Sequence, residues 1–97
     1  MERRWFVYLM ASRKGGALYV GITNDPARRV WEHKNGKGSE YVRRYKITNL
    51  VWLDSFPTPE EAIAFEKKLK RWRRKWKDEL IEHQNPDWHD LYDQIPT

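Results

Sequence analysis

Four kinds of side chain in this sequence could do chemistry: two tyrosines, an arginine–histidine pair, an isolated acid and a dense run of cations. Tyr8 and Tyr19 sit in two short segments rich in aromatic and β-branched residues. A phenol can position or deprotonate a water, although its free pKa of about 10 makes it a poor base near neutrality without a cation beside it. Arg29 and His33 follow, four residues apart, and a guanidinium fork matches two oxygens of a phosphate. Glu66 falls inside an apolar repeat, where a charge is costly unless it is paired, protonated or metal-bound. A salt bridge to an arginine on the sheet face or the first helix is the plainer alternative, and spacing does not choose between them.

The cation run covers Lys67 to Lys77, with eight cations in eleven positions, among them Lys67, Lys70, Arg71, Arg73 and Arg74. Such a run suits a phosphate backbone, and Arg43 and Arg44 form a smaller basic segment upstream. A solvated helix face, or a basic amphipathic helix for a membrane or a helix-binding partner, is the competing reading. Placing Trp72 and Trp76 in the core argues against the last two.

These residues need elements to hold them. Trp5–Ala11 reads as a strand, Leu18–Thr23 as a second, and the short glycine-containing loop between them makes a hairpin. If Ala11 pairs with Gly16, Tyr8 lies directly opposite Tyr19 and the two phenols share a face. Asp25 as cap and Pro26 at the first position start a helix that runs to about Asn35, with Gly36 ending it. Its inner stripe is Ala27, Val30, Trp31 and the stem of Lys34, with Arg29 and His33 on one flank. The segment Glu40–Lys46 is basic and ambiguous. Leu50–Phe56 is a third strand, and Thr58, Pro59 and Glu61 cap a long helix. Ala62, Phe65, Leu69, Trp72 and Trp76 give that helix an apolar stripe, widened by Ile63. Glu79–His83 either finishes it or begins a short third helix, and Asn85-Pro86 breaks the pattern before Trp88, Leu91 and Tyr92 fold back. The fold class is therefore α/β (α+β): a small three-stranded sheet in β-β-α-β-α order flanked by helices.

A chain of 97 residues fits one domain, residues 1–97. Nineteen Lys and Arg against fourteen Asp and Glu give a net charge of +5, and the pI is about 9.6. That balance favours polyanions, nucleic acid before membrane. With no cysteine there is no disulfide or thiolate zinc site, which fits a reducing cytoplasm. No apolar run approaches the roughly 20 residues of a membrane span. His33, His83 and His89 lack zinc-site spacing, and no nucleophile elbow, phosphate loop or dinucleotide fingerprint is present.

Val7-Tyr8, then Tyr19-Val20-Gly21-Ile22-Thr23-Asn24-Asp25, then Arg29, His33 and Glu66 together resemble the GIY-YIG nuclease family. Leu80-Ile81-Glu82, Asn85-Pro86 and Trp88 with Asp90-Leu91 are similar to its small stand-alone bacterial members, related to the nuclease module of the excinuclease C subunit. The first block, Phe6-Val7-Tyr8, lacks the family's glycine, and Val20 stands for its isoleucine. Larger relatives add a DNA-binding domain for specificity, which leaves target choice open here.

The resemblance implies a metal-dependent endonuclease of DNA acting in repair or recombination, leaving a 5′-phosphate and a 3′-hydroxyl. It assigns Tyr8, Tyr19, Arg29, His33 and Glu66 to catalysis, with Glu66 as ligand of Mg²⁺ or Mn²⁺, and leaves open which tyrosine is the base. Asn85 is either a turn former or a further site residue. Expected partners are DNA, branched or damaged forms included, and a protein that supplies specificity; no membrane and no small-molecule cofactor is expected. The rival from another class is a nucleic-acid-binding module on the same fold with little or no turnover.

Overall fold

The computed structural model describes residues 4–96. Its elements are β1 (Trp5–Ala11), β2 (Leu18–Thr23), α1 (Pro26–Lys34), α2 (Glu40–Arg44), β3 (Asn49–Phe56), α3 (Pro59–Arg71), α4 (Arg74–Gln84) and a short 3₁₀ turn at Tyr92–Gln94. The three strands form one antiparallel sheet in the order β2-β1-β3. As the middle strand, β1 is covered on both faces, which is why its sequence is apolar without alternation. Val7, Leu9 and Ala11 pack with Ala62, Leu69, Ile81 and Trp88 on one face. Tyr8 and Met10 pack with Val30, Val42, Ile47 and Leu50 on the other. A bulge between Leu9 and Met10 lets Val51 and Trp52 both serve the first layer while Leu50 serves the second.

The caps behave as their chemistry requires. The Asp25 carboxylate accepts from the Arg28 amide, and the Thr58 hydroxyl from that of Glu61. Ser39 caps α2, which resolves the ambiguous basic segment into one short helix around buried Val42.

Three expectations require correction. The hairpin loop is two residues longer than a pairing of Ala11 with Gly16 would leave: Ala11 pairs with Leu18, and Tyr8 faces Gly21 while Tyr19 faces Met10. Ser12 holds the loop, donating its amide to the Ala17 carbonyl and accepting the Ala17 amide on its hydroxyl. In α1 the buried stripe is Pro26, Val30 and His33, and Trp31 is turned out to solvent.

The long helix also breaks. Trp72 and Arg73 are both extended, α4 restarts at Arg74, and Trp76 is 49% exposed instead of joining the core. A continuous helix over 59–84 would be about 39 Å long, more than the 34 Å of the molecule's largest extent. Like charges one turn apart, such as Lys67 with Arg71 and Lys70 with Arg74, disfavour its continuation. The break turns α4 back so that Leu80 and Ile81 reach the core. No helix among the described residues is long and apolar enough to cross a membrane.

Candidate active site

The register fixes the two tyrosines. They stand diagonally on one face of β1 and β2, with ring centroids 6.3 Å apart. Tyr8 lies across Gly21, where a Cβ would fall 2.2 Å from Cζ of the ring. Only a residue without a side chain lets the phenol lie flat there.

α1 closes over this face. His33, 1% exposed, points Nε2 at the Tyr8 hydroxyl at 2.9 Å, and its ring sits 5.1 Å from that of Tyr19. Its other nitrogen, Nδ1, is buried with no partner among the described residues, and a Cβ at Gly38 would come within 2.2 Å of it. Burial, with the Arg29 charge adding, pulls the His33 pKa down to about 4. The imidazole is therefore neutral at pH 7.

That shift has a consequence for stability. The unfolded chain takes up this proton near pH 6.5 and the folded chain only near 4, so stability is full above about 6.5 and falls as pH drops through that window. The loss reaches up to about 3 kcal/mol. Urea melts at pH 7, 6 and 5 on the parent and on His33→Gln should show the slope in the parent alone. Equal slopes would contradict the buried neutral imidazole.

Burial also raises the Tyr8 phenol well above the ordinary tyrosine value, with Tyr19 adding to the effect and the Arg29 guanidinium opposing it. Arg29 donates Nη1 to Glu32 Oε1 at 3.2 Å, and Glu32 also holds Arg28 at 3.6 Å. Arg28, Arg29 and Glu32 line an open cavity of about 480 Å³ with Thr23, Asn24 and Asp25. The structure thus joins Tyr8, Tyr19, Arg29 and His33 in one cluster beside a polar cavity.

Glu66 is placed differently. It lies on α3, which packs on the opposite face of the sheet from the tyrosines. Ala62 and Leu69 point straight in, and Phe65 stacks on Trp52 and meets Phe56, both on β3. Glu66, about 100° further round the helix, therefore faces the β2 edge. The carboxylate is 14% exposed, and its partner is Lys70, 2.9 Å away and 55% exposed. An exposed lysine one turn on takes the place of the arginine on the sheet face or the first helix expected in the plainer reading. Among the described residues no three His, Asp or Glu gather as a metal-binding group. One carboxylate is the donor set that a hard cation keeping most of its waters requires, and it is poor for zinc.

Arg74 donates to Asp78 at 2.7 Å and to the Gly16 carbonyl at 2.6 Å, which ties the hairpin loop to α4. Asn85 spends its amide on the carbonyls of Val51 and His89 and accepts the His89 amide, so it clamps the tail to the bulge. Asp90, which the sequence reading left without a role, holds the Leu50 amide and Lys34.

The sequence model of the GIY-YIG catalytic domain matches residues 4–79. The chain belongs to the GIY-YIG family. A UPF0213 protein of Cupriavidus pinatubonensis is 41% identical over 71 residues, 73% of this chain and 78% of that one. One from Bacillus velezensis is 35% identical over 96 residues, 99% and 97% of the two chains. The solution NMR structure of a UPF0213 protein from Bacillus halodurans has the same fold, with a TM-score of 0.56 and 31% identity over 97% of this chain and 99% of that one. GIY-YIG domains are generally nucleases that interact with nucleic acid and use divalent metals. In this GIY-YIG chain the block around Tyr19 to Asp25 builds β2 and the cap of α1, so the motif is also the frame of the cavity.

Proposed function

We propose that the chain is a metal-dependent endonuclease that hydrolyses phosphodiester bonds in DNA, with Mg²⁺ or Mn²⁺ as its cation, and that residues 1–97 act as one domain in the cytoplasm. The observation that carries this reading is the convergence of Tyr8, Tyr19, His33 and Arg29 beside a cavity lined by two arginines. Arg29 binds two phosphate oxygens and stabilises the charge that grows on them in the transition state. Tyr8, 1% exposed and raised in pKa, serves as a fixed hydrogen-bonding post held by His33. Tyr19 is the more exposed phenol and is the one that orients the attacking water. The water oxygen bonds to phosphorus as the bond to the 3′ oxygen breaks; the proton the water gives up leaves through the Tyr19 hydroxyl to solvent, and the departing 3′ oxygen takes one from solvent. Glu66 would hold the divalent cation, whose charge when bound neutralises the phosphate and the leaving oxygen.

DNA repair or recombination is the setting this chemistry fits, on branched or damaged targets chosen with a protein partner. The Lys70 hold on Glu66, and the packing of α3 on the face opposite the tyrosines, favour a binding module with little turnover. End-group analysis on nicked, branched and single-stranded DNA separates the readings. We expect products carrying 5′-phosphate and 3′-hydroxyl; products with 3′-phosphate would overturn the assigned chemistry.

A further inference from the structure

The cation run of α3 and α4 and the tyrosine cluster lie on opposite layers. α3 and α4 cover the Val7, Leu9 and Ala11 face, whereas α1 and α2 cover the face bearing Tyr8 and Tyr19. Of the eight cations between Lys67 and Lys77, Lys70 is held by Glu66 and Arg74 by Asp78 and the Gly16 carbonyl. Lys67, Lys68, Arg71, Arg73 and Lys75 are exposed and have no carboxylate in ion-pair range among the described residues. With Ala62 and Leu69 pointing in, Arg71 points directly out from α3, roughly half a turn away. Lys68 borders the cleft formed with Phe56, Glu61, Ala64 and Phe65, on the β3 side and away from β2, with Glu61 outside ion-pair range. At the break between α3 and α4, Trp76 presents an exposed ring with the Arg73 guanidinium 5.7 Å from its centre.

We infer that Lys68, Arg71, Arg73 and Trp76 form a second nucleic-acid-backbone site, separate from the cavity at Arg29, so that one chain can hold two segments at once. The inference rests on the reading of nucleic acid as the partner, but not on turnover. Lys67 and Arg71, one turn apart, repel, and no acid among the described residues lies in ion-pair range of either. A row of phosphates offsets them and releases counterions. The two outer helix layers are separated by the sheet, with about 10 Å between packed layers. Duplex DNA, stiff over about 150 base pairs, cannot lie in the arginine cavity and also bend round to the outer side of α3. A membrane surface fits less well, because the apolar stripe of α3 is spent on the core and only Trp76 and Ile63 remain exposed beside the cations. Trp76 instead offers a flat face to sugar or base.

The test uses the full chain in chelator, so that no cleavage enters, with duplexes of about 12 base pairs carrying two different dyes. The parent should bind two duplexes per chain and bring the dyes together. The triple variant Lys68→Gln, Arg71→Gln, Arg73→Gln should bind one and lose the energy transfer. In the single variant Lys68→Gln, where the weaker step stays measurable, its log–log salt slope should flatten by about 0.9, the value for one phosphate contact. A parent that binds a single duplex, a triple variant that keeps both, or tighter binding to acidic phospholipid vesicles than to duplex would each overturn the second site. Because the parent's stoichiometry is itself decisive, a variant that fails to fold leaves the result intact. Loss of cleavage in metal would bear on the proposed reaction and leave this result untouched.

Discussion

Glu66→Gln is expected to lower metal-dependent cleavage by about a thousandfold or more while leaving DNA binding within a few-fold. The substitution keeps the shape and removes the charge proposed to hold the cation. Most binding energy is expected from arginines and lysines elsewhere, so affinity has little reason to change. Stability should move by about 1 kcal/mol or less, because the Lys70 partner is 55% exposed and such pairs contribute little. A buried pair would have cost about 3–5 kcal/mol on losing one member, and the exposure of Lys70 removes that expectation. A melting curve, a binding isotherm and a time course on one preparation decide the matter. A variant that unfolds, or one that still cleaves at the parent rate, contradicts the role given to Glu66.

Gly21→Ala is expected to damage fold and site together. The added Cβ would stand 2.2 Å from Cζ and 2.3 Å from the hydroxyl oxygen of Tyr8. Tyr8 cannot step aside cheaply, since it is 1% exposed and its hydroxyl is tied to His33. The overpacking and the broken hydrogen bond together should cost about 3 kcal/mol. Cleavage should fall with them, as the phenol leaves its post. Urea melts of a double-mutant cycle with Tyr8→Leu check the cause. If the clash is with the ring, the two changes couple by about 1 kcal/mol or more; additive effects would place the damage elsewhere.

The same glycine shows what the sequence reveals and what it does not. The assumed register was wrong by two residues, yet the tyrosines still share a face, because side chains alternate with a period of two. Loop length was the hidden quantity: Ser12 closes the loop on Ala17 through both amide and hydroxyl, and nothing local announces that. Caps were legible, since Asp25-Pro26 and Thr58-Pro59 carry their mechanism in adjacent residues. The phase of α1 was not, because large Trp31 looked like the inward residue and the smaller His33 fills that place. The break at Trp72–Arg73 has neither proline nor glycine, and only the size of the molecule and the charge crowding explain it. The Asn85 and Asp90 clamps reach strand residues 34 and 40 positions away, and such pairings leave no periodic trace. In the site, the elements bearing Tyr8, Tyr19, Arg29 and Glu66 followed from pattern and resemblance. The division between the two layers, with Glu66 at the β2 edge, came only from the packing of Phe65 against β3.

The most direct test of metal-dependent hydrolysis is a cleavage time course on the purified parent protein with labelled DNA, in Mg²⁺ or Mn²⁺ and in chelator, with Glu66→Gln alongside. Cleavage is expected with either cation in the parent, none in chelator, and almost none in Glu66→Gln. A folded parent that binds DNA but does not cut it under any of these conditions, or that cuts equally well in chelator, would contradict the assignment.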